Sequence, residues 1–329
     1  MADILLLPGD GSGPEAVSAV RTVVEAACPR AEVAAGDIGF SAYEEYGEHL
    51  PYETLDLVGG CPVVVCGPTA ASPDGGRDAL GRMMSQMDLF AMSRTFRTLA
   101  DGHGAPGVEA TVWGSHLRPQ TDISETMEVD GVTISKYVRA SFSERMMRAA
   151  RADMERSGKT RVACLSREDL FPRSSGAFLS VFESVFSDGV EASHYNVREW
   201  ITEAITSPRD CEYLVVADLY TMIVEGVLAG LTGGDRLTPV KYVGEGTSLV
   251  LPGPRTVDPM DPEPISACSA VSSAAVALAD AGYARESMAV VSAMKEAAAA
   301  GERPPELGGA LSTAEFAGCV ASRLRANLF

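Results

Sequence analysis

Short apolar runs alternate with amphipathic segments over residues 1–70. Residues 4–7 are entirely apolar, a glycine-rich turn follows them, and residues 16–27 carry apolar side chains at helical spacing. A second apolar run, at 63–66, ends at a Gly-Pro-Thr turn. Strands that alternate with helices in this way predict an α/β fold built from packed layers.

The same pattern continues along the rest of the chain. Further helices are predicted at 78–87, 141–157, 176–186, 222–231, 267–280 and 287–300, and further strands at 108–113, 161–165 and 213–217. The glycine-rich segment 101–107 predicts a domain crossover. Residues 116–131 are polar and irregular, as expected of a protruding arm.

The turn at 9–15 reads Gly-Asp-Gly-Ser-Gly-Pro-Glu. Its three glycines allow a sharp turn and close backbone approach, while Pro14 and Glu15 suit the first turn of a helix. It is not a P-loop, because no Gly-Lys-Ser/Thr follows, nor is it Gly-x-Gly-x-x-Gly. The residues alone leave a structural turn and a ligand-binding loop equally open.

Composition narrows the possible partners. The chain has 329 residues, 46% of them hydrophobic, which predicts about two domains. A formal net charge of −18 argues against nucleic acid or an anionic membrane as a partner. An anionic substrate would therefore need a local basic pocket. The chain has four lysines, Lys136, Lys159, Lys241 and Lys295, so most of its positive charge is arginine.

The seven cysteines are scattered and none forms a C-x-x-C pair. This usage predicts reduced thiols and a cytoplasmic location, without a zinc site or a disulfide framework. The first residues lack the pattern of a signal peptide, and no apolar run reaches the roughly 18 residues of a membrane span. Among single residues, His49 and His194 are isolated and predicted to be structural. Met83, Met84 and Met87 are predicted to pack on an apolar helical face.

Residues 9–15 resemble the opening turn of the decarboxylating dehydrogenases that act on isocitrate, homoisocitrate and 3-isopropylmalate. Asp-Leu-Phe-Ala at 88–91, followed by Arg94, and Leu-Gly-Gly at 307–309 resemble later motifs of that family in the same order. The resemblance implies a three-layer α/β/α fold with a large mixed sheet and a second, smaller α/β domain. Residues 1–98 and 250–329 would form the large domain, and 99–249 the small domain with a dimerisation arm.

The resemblance also implies NAD or NADP, Mg²⁺ or Mn²⁺, a lysine and a tyrosine for proton transfer, and three arginines that clamp carboxylates. Arg94 matches one of these arginines. The other matching positions hold different residues, namely Met84 and Gly114 for arginines, Ser115 for a glutamate, Thr121 for the tyrosine, Arg167 for the lysine, and Met222 and Gly226 for metal aspartates.

Cofactor binding is affected by these substitutions. Methionine and glycine side chains offer no oxygen ligands for a hard cation, although Asp218 and Glu225 leave a rebuilt site open. The family's adenine loop falls on 253–258, where only Asp258 agrees, and prolines at 262 and 264 remove backbone donors. The nucleotide-side residues that remain are Asp10, Gly11, Gly13 and Asp258. We expect no cofactor, with NAD or NADP as the alternative.

We predict instead a site for a small anionic metabolite. Its candidate residues are Arg94, Arg167, Arg118, Arg82, Ser115 and Asp169. Two arginines in one pocket would repel each other, and an anion or an internal acid such as Asp169 would relieve that cost.

Three functions stay open. The first is a divergent member of the family that binds a carboxylate metabolite, with metal-independent chemistry or none. The second is ordinary NAD(P)-dependent oxidative decarboxylation of a malate-type hydroxy acid. The third is an inactive regulatory or scaffold subunit of an active homologue, because sites in this family use residues from both protomers. A homodimer is expected by resemblance and from the apolar face of the helix at 141–152.

Overall fold

The computed structural model describes residues 2–70, 78–115, 123–208, 212–258 and 263–328; Arg118 lies outside these ranges. The strands are β1 (Ile4–Leu7), β2 (Val33–Ala35), β3 (Val63–Cys66), β4 (Thr69–Ala70), β5 (Ala91–Arg97), β6 (Glu109–Ser115), β7 (Ile123–Met127), β8 (Val132–Lys136), β9 (Arg161–Ser166), β10 (Glu191–Asn196), β11 (Tyr213–Val216), β12 (Val240–Val243), β13 (Ser248–Leu251) and β14 (Thr256–Val257).

The helices are α1 (Gly13–Ala27), α2 (Phe40–Tyr46), α3 (Tyr52–Gly60), α4 (Ala79–Gln86), α5 (Ala140–Arg156), α6 (Ser174–Val185), α7 (Val197–Thr206), α8 (Thr221–Thr232), α9 (Ala267–Asp280), α10 (Ala284–Ala299) and α11 (Thr313–Leu328). Short 3₁₀ turns lie at Asp218–Tyr220, Asp235–Leu237 and Pro305–Leu307. The helices predicted from sequence after residue 78 are present, with ends shifted by a few residues.

The chain divides into two compact units. Unit 1 contains residues 1–89, 94–108 and 229–329, and unit 2 contains residues 90–93 and 109–228. The sequence-based division placed all of 99–249 in the small domain. Residues 99–108 and 229–249 belong to unit 1 instead. The second range does so because β13 pairs with β3, with Ser248 opposite Val63, and β12 pairs with β13.

Unit 1 contains a mixed sheet with helices on both faces. Its strands run in the order β12-β13-β3-β1-β2, all parallel except β12, which is antiparallel to β13. Ile4 and Leu6 pack into a core with α1, α9, α10 and α11, whereas Leu5 and Leu7 pack into a second core with α4. Because both faces of β1 are covered, every residue of this strand is apolar. The predicted layered α/β fold, with its large mixed sheet, is confirmed.

Unit 2 contains four parallel strands in the order β10-β9-β11-β6. Helix α5 packs its apolar face against its own unit, so that Met146, Met147 and Ala150 are fully buried. This corrects the expectation that the apolar face of 141–152 is available to a partner. The spacing of apolar residues predicted a buried face correctly, but the same chain buries it.

A two-stranded antiparallel hairpin, β7–β8, forms part of the segment that sequence predicts as an irregular arm. Ile123 lies opposite Lys136 and Met127 opposite Val132, and the turn closes when Glu128 N donates to Gly131 O. The irregular prediction for 123–131 is therefore wrong. Nine of the ten strand residues are exposed and the tenth is half-buried. The alternation of apolar and polar residues at 132–135 is the signal that sequence reasoning missed.

Among the described residues, no helix combines the length and the apolar character needed to cross a membrane. The described cysteines are free thiols. Burial raises the pKa of the Cys66 and Cys164 thiols well above the ordinary value, which makes both poor nucleophiles.

The carboxylate of Asp10 joins three loops of unit 1. Its oxygen atoms accept hydrogen bonds from the backbone N–H of Phe40 at 2.8 and 3.0 Å, of Ser41 at 3.3 Å and of Ala70 at 2.7 Å. The first two donors begin α2 and the third lies in β4. One buried side chain therefore fixes the turn after β1, the start of α2 and the loop after β3.

Glycine is required where these loops meet. A Cβ atom on Gly13 would lie 2.2 Å from Pro8 O, and one on Gly67 would lie 2.1 Å from the same atom. Gly39 has a φ of +93°, and a Cβ there would lie 2.3 Å from the Asp10 carboxylate. The glycines thus allow three backbones to approach one another around a single acid.

Replacing Asp10 with alanine should lower the free energy of unfolding by about 3 kcal/mol, because three backbone N–H groups lose their acceptor. Urea denaturation followed by circular dichroism measures this loss. Asp56→Ala removes an exposed carboxylate from the neighbouring α3 and should change the stability by about 0.5 kcal/mol or less. Equal stability of the two variants would mean that Asp10 does not hold the loops together.

Candidate functional site

The candidate site of unit 2 lies at the carboxyl ends of its parallel strands. Ser115 ends β6, and Arg167 directly follows the end of β9. Since β11 pairs with β6 on one side and with β9 on the other, the segments that follow the three strands share one edge of the sheet. This edge is where α/β proteins place their ligand-binding residues.

Arg167 is held by an acid two residues further along the chain. Its Nε donates to Asp169 Oδ1 at 2.8 Å and its Nη2 donates to Asp169 Oδ2 at 2.9 Å. Asn196 Nδ2 also donates to Asp169 Oδ1, at 3.1 Å. The hydrogen bond from Arg167 lowers the pKa of the Asp169 carboxyl, and the same bond raises the pKa of Arg167. Both groups therefore stay charged in a bidentate pair.

A second polar cluster lies beside this pair and was missed by sequence reasoning. Ser166 Oγ donates to Glu168 Oε1 and lies 2.9 Å from His194 Nε2, while Glu168 Oε2 lies 3.3 Å from the same nitrogen. His194 is thus not isolated: the register of β10 on β9 places it opposite Cys164, two residues before Ser166 on the same face of the sheet. In a nucleophilic triad the serine and the acid contact different nitrogens of the histidine ring. Here Ser166 and Glu168 contact the same nitrogen, and Ser166 is buried, so the cluster is not such a triad.

The side chain of Thr221 packs directly against the backbone of Gly114. A Cβ on Gly114 would lie 2.6 Å from Thr221 Oγ1 and 2.7 Å from Thr221 Cγ2. Gly114 is in β6 and Thr221 begins α8, and both are buried. The threonine side chain therefore occupies the space that any side chain at position 114 would enter.

The two positions that the resemblance assigns to metal aspartates offer no oxygen ligand for a divalent cation. Met222 is 75% exposed on α8, and Gly226 lies one turn further along the same helix. The described residues contain no group of three His, Cys, Asp or Glu side chains placed to hold a metal ion. The side chain of Asp218, part of the alternative metal site, lies outside the described set.

Arg94 is the candidate of unit 1 and has partners within its own chain. Its Nη1 donates to Asp235 Oδ1 at 2.7 Å, and its Nη2 donates to the carbonyl oxygen atoms of Asp235 and Thr238 at 2.8 and 2.9 Å. The guanidinium also lies 4.9 Å from the centre of the Phe96 ring, and the side chain is 8% exposed. Arg94 is therefore a buried cation with an internal partner, Asp235, whose side chain is 69% exposed.

Helix α4 separates its polar and apolar residues. Arg82 is exposed, whereas Met83, Met84 and Met87 are buried in the second core of unit 1. The prediction that these methionines pack is confirmed. The resemblance assigns an arginine to position 84, whereas Met84 of this chain lies in the apolar core.

The candidate nucleotide residues lie at the loops that Asp10 joins. Gly11 is exposed with a φ of +59°, Gly13 is buried, and Asp258 is exposed after β14. Thr69 N donates to Arg255 O at 3.1 Å, next to the pairing of β14 with β4, and Ser12 Oγ donates to Glu263 O at 2.8 Å. The polar groups of Asp10, Ser12 and Thr69 are therefore already used within unit 1, which does not fit an ordinary dinucleotide site.

Ser115, Arg167 and Asp169 thus lie in unit 2, whereas Arg94, Arg82 and the nucleotide-side residues lie in unit 1. Arg167 and Asp169 are paired, which is the internal-acid alternative that the sequence analysis gave beside a bound anion. Arg94 pairs with Asp235, a partner 141 residues away that no local pattern indicates.

Comparisons with known proteins agree with the resemblance. The 3-isopropylmalate dehydrogenase of Archaeoglobus fulgidus is 27% identical over 98% of this chain and 100% of its own length. The isocitrate/homoisocitrate dehydrogenase of Thermus thermophilus is 25% identical over 98% of each chain.

Solved structures show the same fold. A β-decarboxylating dehydrogenase of Thermococcus kodakarensis matches with a TM-score of 0.86 at 19% identity, over 100% of this chain and 97% of its own. The isocitrate dehydrogenase of Methylococcus capsulatus matches with a TM-score of 0.81 at 22% identity, over 99% of this chain and 100% of its own. The family model described as isocitrate/isopropylmalate dehydrogenase matches residues 3–320. The chain therefore belongs to the isocitrate/isopropylmalate dehydrogenase family.

Proposed function

We propose that this protein is a divergent member of its family that does not catalyse metal-dependent oxidative decarboxylation and serves as a non-catalytic subunit. One observation carries the proposal. The two cations at the family's substrate and proton-transfer positions, Arg94 and Arg167, already have carboxylate partners in their own chain. Such a site is electrostatically complete without a substrate.

Arg167 cannot replace a proton-transferring lysine. Arginine keeps its charge near neutral pH, and the Asp169 carboxylate stabilises that charge further. Its Nε and Nη2 donors are directed at one acid, so the group is also fixed in orientation. A residue held in this way positions an acid and does not move protons.

The remaining carboxylate-clamping positions are closed. Thr221 occupies the space beside Gly114, so an arginine at 114 has no room while threonine stays at 221. Met84 is 4% exposed within an apolar core, where an unpaired guanidinium would be costly to bury. At positions 84 and 114 the arginine of the family is therefore absent, and the packing around each position leaves no place for one.

Binding of an anionic metabolite is the second candidate function. It is favoured by the partial exposure of the Arg167–Asp169 pair, in which Asp169 is 54% exposed. A ligand carboxylate could take the place of Asp169 on the guanidinium without a buried group moving. In that case the protein would bind the metabolite and Asp169 would be displaced from Arg167.

We further propose that the protein is a cytoplasmic homodimer, or pairs with an active homologue. Support for the dimer comes from exposed apolar side chains of unit 2, notably Met127 and Val129 on the hairpin and Met222 and Ile223 on α8. Support for the cytoplasm comes from the free thiols.

Purified protein should not reduce NAD or NADP when supplied with Mn²⁺ and either isocitrate or 3-isopropylmalate. These acids should also leave the melting temperature unchanged, because the Asp169 carboxylate already accepts the hydrogen bonds that Arg167 would donate to a ligand. Asp169→Ala should create a response to both acids, whereas Asp130→Ala, in the exposed hairpin turn, should not. Stabilisation of the unaltered protein would favour the anion-binding function, and turnover would establish the ordinary dehydrogenase.

Gly114→Ala should destabilise the protein by about 2 kcal/mol, because the new methyl group meets the Thr221 side chain. In a Thr221→Gly background the same substitution should cost at least about 1 kcal/mol less, as measured by a double-mutant cycle in urea. Gly226→Ala, which faces open space, is the control and should not destabilise. Full additivity would show that the two positions do not share one space.

Multi-angle light scattering should give twice the chain mass of 34.6 kDa at micromolar concentration. Met222→Glu places a charge on the exposed apolar surface of α8 and should shift the mass towards one chain. Met288→Glu makes the same change on α10 of unit 1, where Met288 is 68% exposed, and should leave the mass unchanged. A monomer mass for the unaltered protein would exclude the homodimer.

A further inference from the structure

The surface around α2 in unit 1 concentrates exposed aromatic side chains. Among the described residues, six phenylalanine and tyrosine side chains are exposed, and four of these six lie within residues 40–52. The four are Phe40, Tyr43, Tyr46 and Tyr52, which are 40, 47, 52 and 75% exposed. Clustered aromatic surface of this kind is typical of an interaction site, whereas single exposed rings are not.

Three rings of this surface form one continuous cluster. The rings of Tyr43 and His49 are stacked within 12° of parallel, and their centroids are 4.6 Å apart. The centroid of the Phe40 ring lies 6.2 Å from that of Tyr43 and 6.4 Å from that of His49. Tyr46 follows Tyr43 by three residues, so the two side chains are neighbours on the surface of α2.

Backbone hydrogen bonds hold the cluster in place. The buried Asp10 carboxylate accepts from the N–H groups of Phe40 and Ser41, where α2 begins. Gly39 N donates to His49 O at 2.8 Å, and His49 Nδ1 lies 3.3 Å from Gly39 O. Both ends of the ring cluster are therefore fixed before a partner arrives, which reduces the conformational entropy lost on binding.

The charged side chains around these rings are acids. Residues 31–76 contain no lysine or arginine. Tyr46 Oη donates to Asp37 Oδ2 at 3.3 Å, which keeps one carboxylate beside the rings. The exposed acids of this part of the surface are Asp37, Glu44, Glu45 and Glu48. The rings and acids together are complementary to a cation.

We propose that this aromatic–acidic face, formed by the rings at 40, 43, 46 and 49 and the acids at 37, 44, 45 and 48, docks an arginine-rich segment of a partner protein. A guanidinium group stacks on an aromatic ring and pairs with a carboxylate at the same time, which a lysine ammonium does less well. Because the rings and acids are spread over an exposed surface, a segment with several cations makes more contacts than a single small cation.

The charge of the face argues against other occupants. Nucleic acid and anionic lipid would be repelled by the acids. A second copy of the chain, meeting the first across a two-fold axis, would bring the same acids against each other. The face lies in unit 1 and shares no residue with the Arg94–Asp235 or Arg167–Asp169 pair, so the inference does not depend on catalytic activity.

Isothermal titration of the full chain with a hexa-arginine peptide tests the proposal. The titration uses about 0.15 M salt, which screens long-range attraction to the acidic chain. We expect one saturable site per chain, and a hexa-lysine peptide of equal charge should bind at least about threefold more weakly. Equal affinity for the two peptides, or for hexa-arginine and argininamide, would overturn the assignment.

A ring variant with a matched control locates the site. Tyr43→Ser removes the central ring of the face and should weaken hexa-arginine binding at least about threefold. Tyr137→Ser removes a tyrosine of unit 2 that is 64% exposed and should leave the affinity unchanged. Both rings are exposed, so both variants should fold with melting temperatures close to that of the unaltered protein. Equal affinity of the two variants would exclude this face.

Charge variants separate the face from the overall charge of −18. A triple glutamine variant at positions 44, 45 and 48 should bind hexa-arginine at least about tenfold more weakly. A control that changes Glu183, Glu199 and Glu203 of unit 2 to glutamine alters the net charge equally and should weaken binding by about twofold or less. Equal weakening by the two triple variants would show attraction to net charge alone and contradict the proposal.

Light scattering of Tyr43→Ser tests whether a second copy covers the face. We expect the mass of the particle to equal that of the unaltered protein. If Tyr43→Ser lowers the mass towards one chain, a second copy occupies the face and the proposal is wrong. None of these readouts involves turnover, so their failure is distinct from a failure of the non-catalytic function.

Discussion

One buried acid, Asp10, holds together the turn after β1, the start of α2 and the loop after β3 in unit 1. Three backbone N–H groups from two other segments donate to its carboxylate, and glycines at 13, 39 and 67 provide the room for that approach. A carboxylate that holds several backbone donors fixes geometry more strictly than apolar packing does. The turn that gave the first sequence resemblance to the family is thus also a structural junction, which gives it a role in the fold whether or not a cofactor binds there.

In the candidate sites, too, charged side chains are paired with acids of the same chain. Arg94 is paired with Asp235 and Arg167 with Asp169, so neither guanidinium depends on a bound anion. A buried cation without a partner would destabilise the fold, whereas an internal carboxylate removes that cost. Together with the packing of Thr221 against Gly114, these pairs support the proposed non-catalytic role.

The layered fold could be predicted from the sequence because both faces of β1 and β3 are covered, which requires continuous apolar runs such as 4–7 and 63–66. The hairpin was missed because its only alternation of apolar and polar residues, at 132–135, is short, and nine of its ten strand residues are exposed. The pairing of Arg167 with Asp169 is local and was within reach of sequence reasoning. The pairing of Arg94 with Asp235 and the cluster around His194 join positions that are 141 and 28 residues apart, and only the sheet register and the fold bring them together.

A crystal structure grown with Mn²⁺, NAD and 3-isopropylmalate measures most directly whether internal acids have replaced the substrate. If they have, Asp169 stays hydrogen-bonded to Arg167, Asp235 stays hydrogen-bonded to Arg94, and anomalous scattering shows no manganese beside Met222 and Gly226. Ligand carboxylates on both guanidinium groups, with a manganese peak near α8, would contradict this and identify the protein as a working decarboxylating dehydrogenase.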